Sequence, residues 1–124
     1  MLKTQNSKIK IYDLEERTLN FSRRIIHLVN GLPKNSVNFA LRDQVLRSGT
    51  SVGSNYREAN ETETKKDFLF RMRICRKEAK ETVYWIQLII DANQELKDRI
   101  SPLYEEANEL VKIIATIIEN YKKN

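Results

Sequence analysis

The chain has 124 residues, a length at which a single hydrophobic core is expected. Apolar residues make up 40% of it and charged residues 31%, a balance that excludes both a disordered chain and a membrane protein. The net charge of +5 is concentrated in the segment 65–80, which contains seven basic and two acidic residues. With only three glycines and two prolines to interrupt them, helices are favoured.

Residues 1–11 contain lysines but no continuous apolar segment, and no later stretch reaches the length of a membrane span. We therefore expect a cytoplasmic protein that does not enter a membrane. We also expect a flexible tail over residues 1–11, followed by a single domain over residues 12–124.

The first predicted helix begins at Asp13, because Asp13 and Glu16 have the D-x-x-E spacing of a capping box. Gly31 and Pro33 end it, since glycine accepts a left-handed cap and proline cannot continue a helix. Apolar residues recur along it with helical spacing, which predicts one buried face: Leu14, Phe21, Ile25, Leu28 and Leu32.

The second predicted helix has Ser36 as its cap and ends near Asn60. Its middle, residues 48–54, reads SGTSVGS and is poor in helix propensity, each glycine costing about 1 kcal/mol relative to alanine. Either the helix breaks in two here, or the small side chains allow a neighbouring helix to approach closely. Of the two, we expect one continuous helix.

The third predicted helix runs from about Lys65 to Asn93 and has two adjacent apolar stripes. The main stripe comprises Phe68, Met72, Cys75, Ala79, Val83, Ile86 and Ile90. The second stripe comprises Phe70, Ile74, Trp85 and Leu88. Together they cover more than half of the helix circumference, which is more than two neighbouring helices of one bundle bury. The second stripe is therefore the predicted oligomer interface.

The fourth predicted helix begins at Ser101 and Pro102, a cap followed by a proline at the first helical position, and extends to Lys122. Apolar residues along it have the spacing of a bundle seam: Leu103, Ala107, Leu110, Ile114, Ile117 and Tyr121. Four long helices with short connections predict an all-α, antiparallel up-and-down four-helix bundle.

No pattern in the sequence indicates an enzyme, a cofactor or a metal. His27 is the only histidine and lies between apolar residues, and Cys75 is the only cysteine and is expected to pack as a buried thiol. Bundle di-metal sites need two Glu-x-x-His pairs, which a chain with one histidine cannot supply. The sequence also contains no glycine-rich phosphate loop.

Glu78 and Glu81 lie beside the second apolar stripe of the third helix, whereas Asn55 and Glu58 lie on the second helix. We expect a hydrogen-bonded network between the second and third helices, in which a polar stripe on the second helix bonds to the two glutamates. That stripe comprises Gln44, Ser48, Ser51, Asn55 and Glu58. The alternative is a pair of carboxylates acting as general acid and base, which requires a pocket.

The basic residues of the third helix are the main functional signal. Five of them fall on one helix face: Lys66, Arg73, Arg76, Lys77 and Lys80. A stripe of this kind contacts phosphates, so we predict salt-sensitive binding of RNA or DNA through the backbone, without sequence reading. The alternative is a protein-interaction scaffold, in which the charges only maintain solubility.

Three segments resemble the bacterial four-helix-bundle proteins encoded by intervening sequences in 23S ribosomal RNA genes. They are residues 32–34 (LPK), residues 44–58 with QVLR and SVGSNYRE, and residues 73–82 (RICRKEAKET). The family's usual S-I-P-S-N-I-A-E-G ends in glycine, where this chain has Ala59.

The resemblance implies a ring-shaped homo-oligomer, typically a homopentamer. It also implies similarity to the accessory proteins of diversity-generating retroelements, which bind nucleic acid and partner a reverse transcriptase. A reverse transcriptase or another protein is therefore an expected partner, besides other copies of this chain.

Overall fold

Four long helices account for most of the computed structural model, which describes residues 6–123 and the side chains of residues 14–123. They are α1 (Asn6–Gly31), α2 (Ser36–Asn60), α3 (Lys65–Ala92) and α4 (Lys97–Lys123), with a single 3₁₀ turn, Gln94–Leu96, before α4. No strand occurs among the described residues. Consecutive helices pack against each other, and α1 also touches α4, although along a shorter seam. The predicted all-α, up-and-down four-helix bundle is confirmed.

One continuous core lies between the four helices. The largest fully buried apolar side chains come from every helix: Leu14, Phe21, Ile25, Val45, Val52, Met72, Ile86, Ile89, Leu110, Ile114 and Ile118. The predicted faces of the helices therefore point inward, and Ile89 and Ile118 join them. Tyr121 is the exception, because it is 38% exposed and stacks on Phe68 with ring centroids 4.2 Å apart.

Two helix starts differ from the predictions. Helix α1 begins at Asn6, so the start at Asp13 was wrong, because no glycine or proline before Asp13 prevents the helix from extending further back. The predicted tail over residues 1–11 stays a prediction, since residues 1–5 lie outside the described residues. Helix α4 begins at Lys97, so Pro102 lies inside it, and the Ser101 hydroxyl donates to the Lys97 carbonyl.

The caps of α2 and α3 satisfy backbone donors at the helix starts. Asn35, not Ser36, is the N-cap of α2, and its side chain accepts from the Asn38 amide at 2.8 Å. Thr64 caps α3 in the same way, accepting from the Asp67 amide at 3.1 Å.

The middle of α2 is continuous, as predicted, because its small residues lie against α1. A Cβ atom added at Gly49 would lie 2.7 Å from Cγ1 of Ile25, and one added at Gly53 would lie 3.1 Å from Oγ1 of Thr18. Close packing between α1 and α2 thus offsets the poor helix propensity of this segment.

A buried pair of asparagines joins the start of α2 to the end of α3. The Asn38 side-chain amide donates to the Asn93 side-chain oxygen at 2.9 Å, and the Asn93 amide returns the same bond at 2.9 Å. The same two amide groups also donate to the carbonyls of Pro33 and Ile89. This pair fixes the connection between α3 and α4 against the rest of the bundle, and the sequence analysis did not identify it.

Candidate nucleic-acid interface

Five basic residues of α3 form what we call the basic surface: Lys66, Arg73, Arg76, Lys77 and Lys80. Four of the side chains are exposed, and Arg76 is partly buried. Among the side chains of residues 14–123, none of the five makes an ion pair or a side-chain hydrogen bond. Four of the five residues thus have the exposure that the predicted helix face requires, Arg76 is the exception, and their contact with nucleic acid stays a prediction.

The other charges of this segment point elsewhere. Arg71 lies 4.0 Å from the Glu58 carboxylate of α2, and the Lys65 ammonium lies 3.5 Å from the Lys122 carbonyl of α4. Glu78 is only 8% exposed and lies 3.3 Å from the Arg47 guanidinium. The Glu78 carboxylate is therefore turned into the bundle, whereas the charge of Lys77 acts on the Glu81 carboxyl and helps to lower its pKa.

A polar network between α2 and α3 holds the two glutamates. The Arg47 guanidinium donates to both Glu78 and Glu81, and the Trp85 indole N–H donates to Glu81 at 3.0 Å. The indole bond, together with the Arg47 bond and charge, lowers the pKa of the Glu81 carboxyl despite its partial desolvation. Both carboxylates thus accept hydrogen bonds from side chains of the bundle.

The donors to these carboxylates are not the polar residues predicted on α2. Asn55 and Ser51 donate to carbonyls inside their own helix, whereas Ser48 accepts from the Thr82 hydroxyl of α3 at 2.9 Å. The long arginine side chain of Arg47 reaches across to α3 where shorter amides and hydroxyls do not. No buried side-chain polar atom in the described part of the chain lacks a partner.

The predicted oligomer interface forms an apolar patch beside the basic surface. Phe70 is 59% exposed, and Ile74, Trp85 and Leu88 are partly buried. Tyr84 is 58% exposed and packs edge-on against Trp85, with ring centroids 5.1 Å apart. We call these five residues the α3 apolar patch.

Sequence reasoning missed Tyr84, although its position contained a signal. Tyr84 precedes Leu88 by four residues, and Phe70 precedes Ile74 by the same step. The two pairs are fourteen residues apart, which keeps them on nearly one helix face.

Cys75 lies in the core of the bundle, whereas His27 lies on its surface. The Cys75 thiol is buried, donates to the Val52 carbonyl at 3.2 Å, and has its pKa raised to about 12 by burial and by the Glu78 charge. The predicted buried thiol is confirmed. His27 is exposed on α1.

The described residues contain neither a cluster of metal ligands nor a helix that could span a membrane. Side chains 14–123 contain no group of three or more histidine, cysteine, aspartate and glutamate residues positioned to hold a metal ion. None of the helices within residues 6–123 is both long and apolar enough to cross a membrane.

The fold and its exposed charges define the class of this chain as a four-helix-bundle protein with one cationic helix face. The profile of the 23S rRNA-intervening sequence protein family matches residues 10–116. The chain therefore belongs to this family, as the resemblance of its motifs indicated.

A solved structure supports the same assignment. It is a protein with unknown function from the S23 ribosomal protein family of Bacteroides thetaiotaomicron, with 34% sequence identity and a TM-score of 0.77. The similarity covers 84% of this chain and 96% of that one. No curated protein matches the chain.

Proposed function

We propose that this chain is a cytoplasmic, non-enzymatic accessory protein that self-associates and binds nucleic acid through the basic surface of α3. The observation that supports the proposal is the set of five cations on one helix face, with no ion pair to any described side chain. Cations left unpaired on a single face are available to phosphates.

The dimensions of the basic surface suit a phosphate backbone. Lys66 and Lys80 are fourteen residues apart, which corresponds to about 21 Å along a helix. Each strand of a duplex advances about 3.4 Å per phosphate along the axis, so the surface spans roughly six phosphates. No aromatic platform alternates with the charges, so binding is expected to depend on the backbone and on shape, with little base recognition.

Self-association through the α3 apolar patch would repeat the basic surface in each copy. The α3 apolar patch and the basic surface lie side by side on one helix. Copies that associate through the apolar patch therefore bring their basic surfaces to neighbouring positions. Several such surfaces on one particle increase avidity for a long polyanion without any new contact. The ring and the homopentamer come from the family resemblance and are proposed with it.

Fluorescence anisotropy with labelled RNA and duplex DNA across a salt series tests the nucleic-acid part. If all five cations of one surface contact phosphates of duplex DNA, the slope of log K against log salt is about −4.5. The variant R73E/R76E is expected to abolish binding while it keeps the helical circular dichroism spectrum. The control K34E/K112E makes the same change in net charge at exposed lysines away from α3 and is expected to retain most of the binding.

Absence of binding at low salt would refute the nucleic-acid proposal and favour the protein-interaction scaffold. That alternative rests on the exposed rings of Phe70 and Tyr84, since such aromatic residues are enriched at protein interfaces. A reverse transcriptase is then the first partner to test, because the resemblance to retroelement accessory proteins implies it.

Light scattering tests self-association separately. A mass near 14.6 kDa at micromolar concentration would refute the assignment of the α3 apolar patch as an interface. A multiple of that mass, lowered by the pair F70D/Y84D, would support it.

A further inference from the structure

A cavity of about 410 Å³ lies between the C-terminal part of α1 and the N-terminal part of α4. Its floor is apolar and includes the buried side chains of Leu32, Ile100 and Leu103. Its polar side chains are all basic, and we call these four residues its rim: Arg23, Arg24, His27 and Arg99. No residue of α3 lines it, so the cavity is distinct from the basic surface.

The rim charges have little compensation. Arg23 lies 3.8 Å from Glu16, but both side chains are well exposed, so this pair neutralises the rim weakly. Within residues 14–123, Arg24, His27 and Arg99 form no ion pair or side-chain hydrogen bond. Among the described side chains, no carboxylate lines the cavity.

The register in which α1 and α4 pack brings Arg24 of α1 and Arg99 of α4 to the same level of their seam. Near the middle of the seam, the Arg17 guanidinium forms two hydrogen bonds of 2.7 and 2.8 Å with the Glu106 carboxylate. Two helical turns further along α1 stands Arg24, and two turns back along the antiparallel α4 stands Arg99. At this level of the seam α4 thus has an arginine, Arg99, whereas two turns away it has the carboxylate of Glu106 opposite Arg17.

We propose that this cavity binds a small organic anion with an apolar body, a fatty carboxylate or alkyl phosphate in chemical class. The anionic head pairs with Arg24 and Arg99 and removes their mutual repulsion. Arginine suits this role because its planar guanidinium forms two parallel bonds to a carboxylate or phosphate. The apolar body lies over Leu32, Ile100 and Leu103.

The size and lining of the cavity agree with this ligand class. Sites for small molecules have volumes of about 300–1,000 Å³, mostly apolar walls and a few polar groups that orient the ligand. A nucleic-acid backbone uses charges but has no aliphatic body for an apolar floor. The inference therefore goes beyond the proposed function and does not depend on it.

Isothermal titration with decanoate and with decyl phosphate, each below its critical micelle concentration, tests the proposal and separates the two head groups. Decanol supplies the same apolar body without a charge, and inorganic phosphate supplies a charge without the body. We expect at least one of the two anions to bind. Decanol and phosphate are both expected to bind at least about tenfold more weakly than that anion.

The variant R24Q/R99Q is expected to weaken binding of the anion by about tenfold or more, because it removes the two charges that pair with the head group. Both positions are exposed, so the fold is expected to be retained. The control R73Q/R76Q changes the net charge equally on α3 and is expected to leave this binding unchanged. Conversely, R24Q/R99Q is expected to retain nucleic-acid binding, so failure of either proposal is visible without the other.

Three results would overturn the proposal. The first is equal affinity for decanol and decanoate, and the second is unchanged anion binding by R24Q/R99Q. The third is a change in particle mass caused by R24Q/R99Q in light scattering, which would assign the cavity to an interface between copies.

Discussion

Gly49 places the backbone of α2 directly against the Ile25 side chain of α1, and the substitution G49A tests how tightly this contact is packed. The added Cβ atom would lie 2.7 Å from Cγ1, 3.0 Å from Cδ1 and 3.1 Å from Cγ2 of Ile25. Ile25 is completely buried, so its side chain has no open space into which it can move.

Two effects of opposite sign decide the magnitude. Overpacking of a filled core costs about 1–3 kcal/mol, whereas alanine in place of glycine in a helix contributes about 1 kcal/mol of stability. Because the new contact is too short for three atoms at once, the upper part of the overpacking range applies. We therefore expect G49A to lower the free energy of unfolding by roughly 1–2 kcal/mol.

Urea denaturation followed by circular dichroism measures this change, with G31A as the matched control. A Cβ atom at Gly31 meets nothing within 4 Å, so G31A is expected to be neutral or slightly stabilising. The variant I25A removes the three clashing atoms, so G49A/I25A is expected to be less destabilised than the sum of its single changes. A G49A protein as stable as the parent, or an additive double variant, would refute the reasoning.

Three further predictions concern buried or paired polar groups. N93L leaves the Asn38 side-chain oxygen without its bond, so we expect a loss of about 1–3 kcal/mol in urea denaturation, and no loss would contradict the role of the pair. The Cys75 thiol is expected to react with a thiol reagent only after unfolding, because it is buried with a raised pKa; rapid reaction of the native protein would disprove this. Native structure lowers the pKa of Glu81, so its contribution to stability is present above the ordinary range of a glutamate carboxyl. That contribution is lost as the pH falls through the native pKa, so the stability difference between the parent and E81Q should shrink in acid; a pH-independent difference would contradict it.

The helices and their inward faces were predictable because hydrophobic periodicity is a local property of the sequence. Leu14, Phe21 and Ile25 recur with the helical period, and each is buried. The end of α2 and the start of α3 were also predictable, since the cap at Thr64 follows a short polar segment. The start of α4 was not, because Ser101 and Pro102 form a start signal that a helix beginning at Lys97 simply includes.

The candidate site was only partly predictable. The exposed face of Lys66, Arg73 and Lys80 follows from helical geometry alone, because residues on one helix keep their angular relations in any fold. The partners of Glu78 and Glu81 did not follow, since Arg47 on another helix reaches them through a side chain whose direction depends on packing.

The sequence by itself determined the family, the four helices, the buried stripes and the concentration of positive charge on α3, because each depends on neighbours within one segment. Only the tertiary structure decided the Asn38–Asn93 pair, the contact of Gly49 with Ile25 and the opposition of Arg24 and Arg99 beside an apolar cavity. These features join residues far apart in the chain. They depend on the register in which two helices pack, and that register is set by the whole core rather than by either helix.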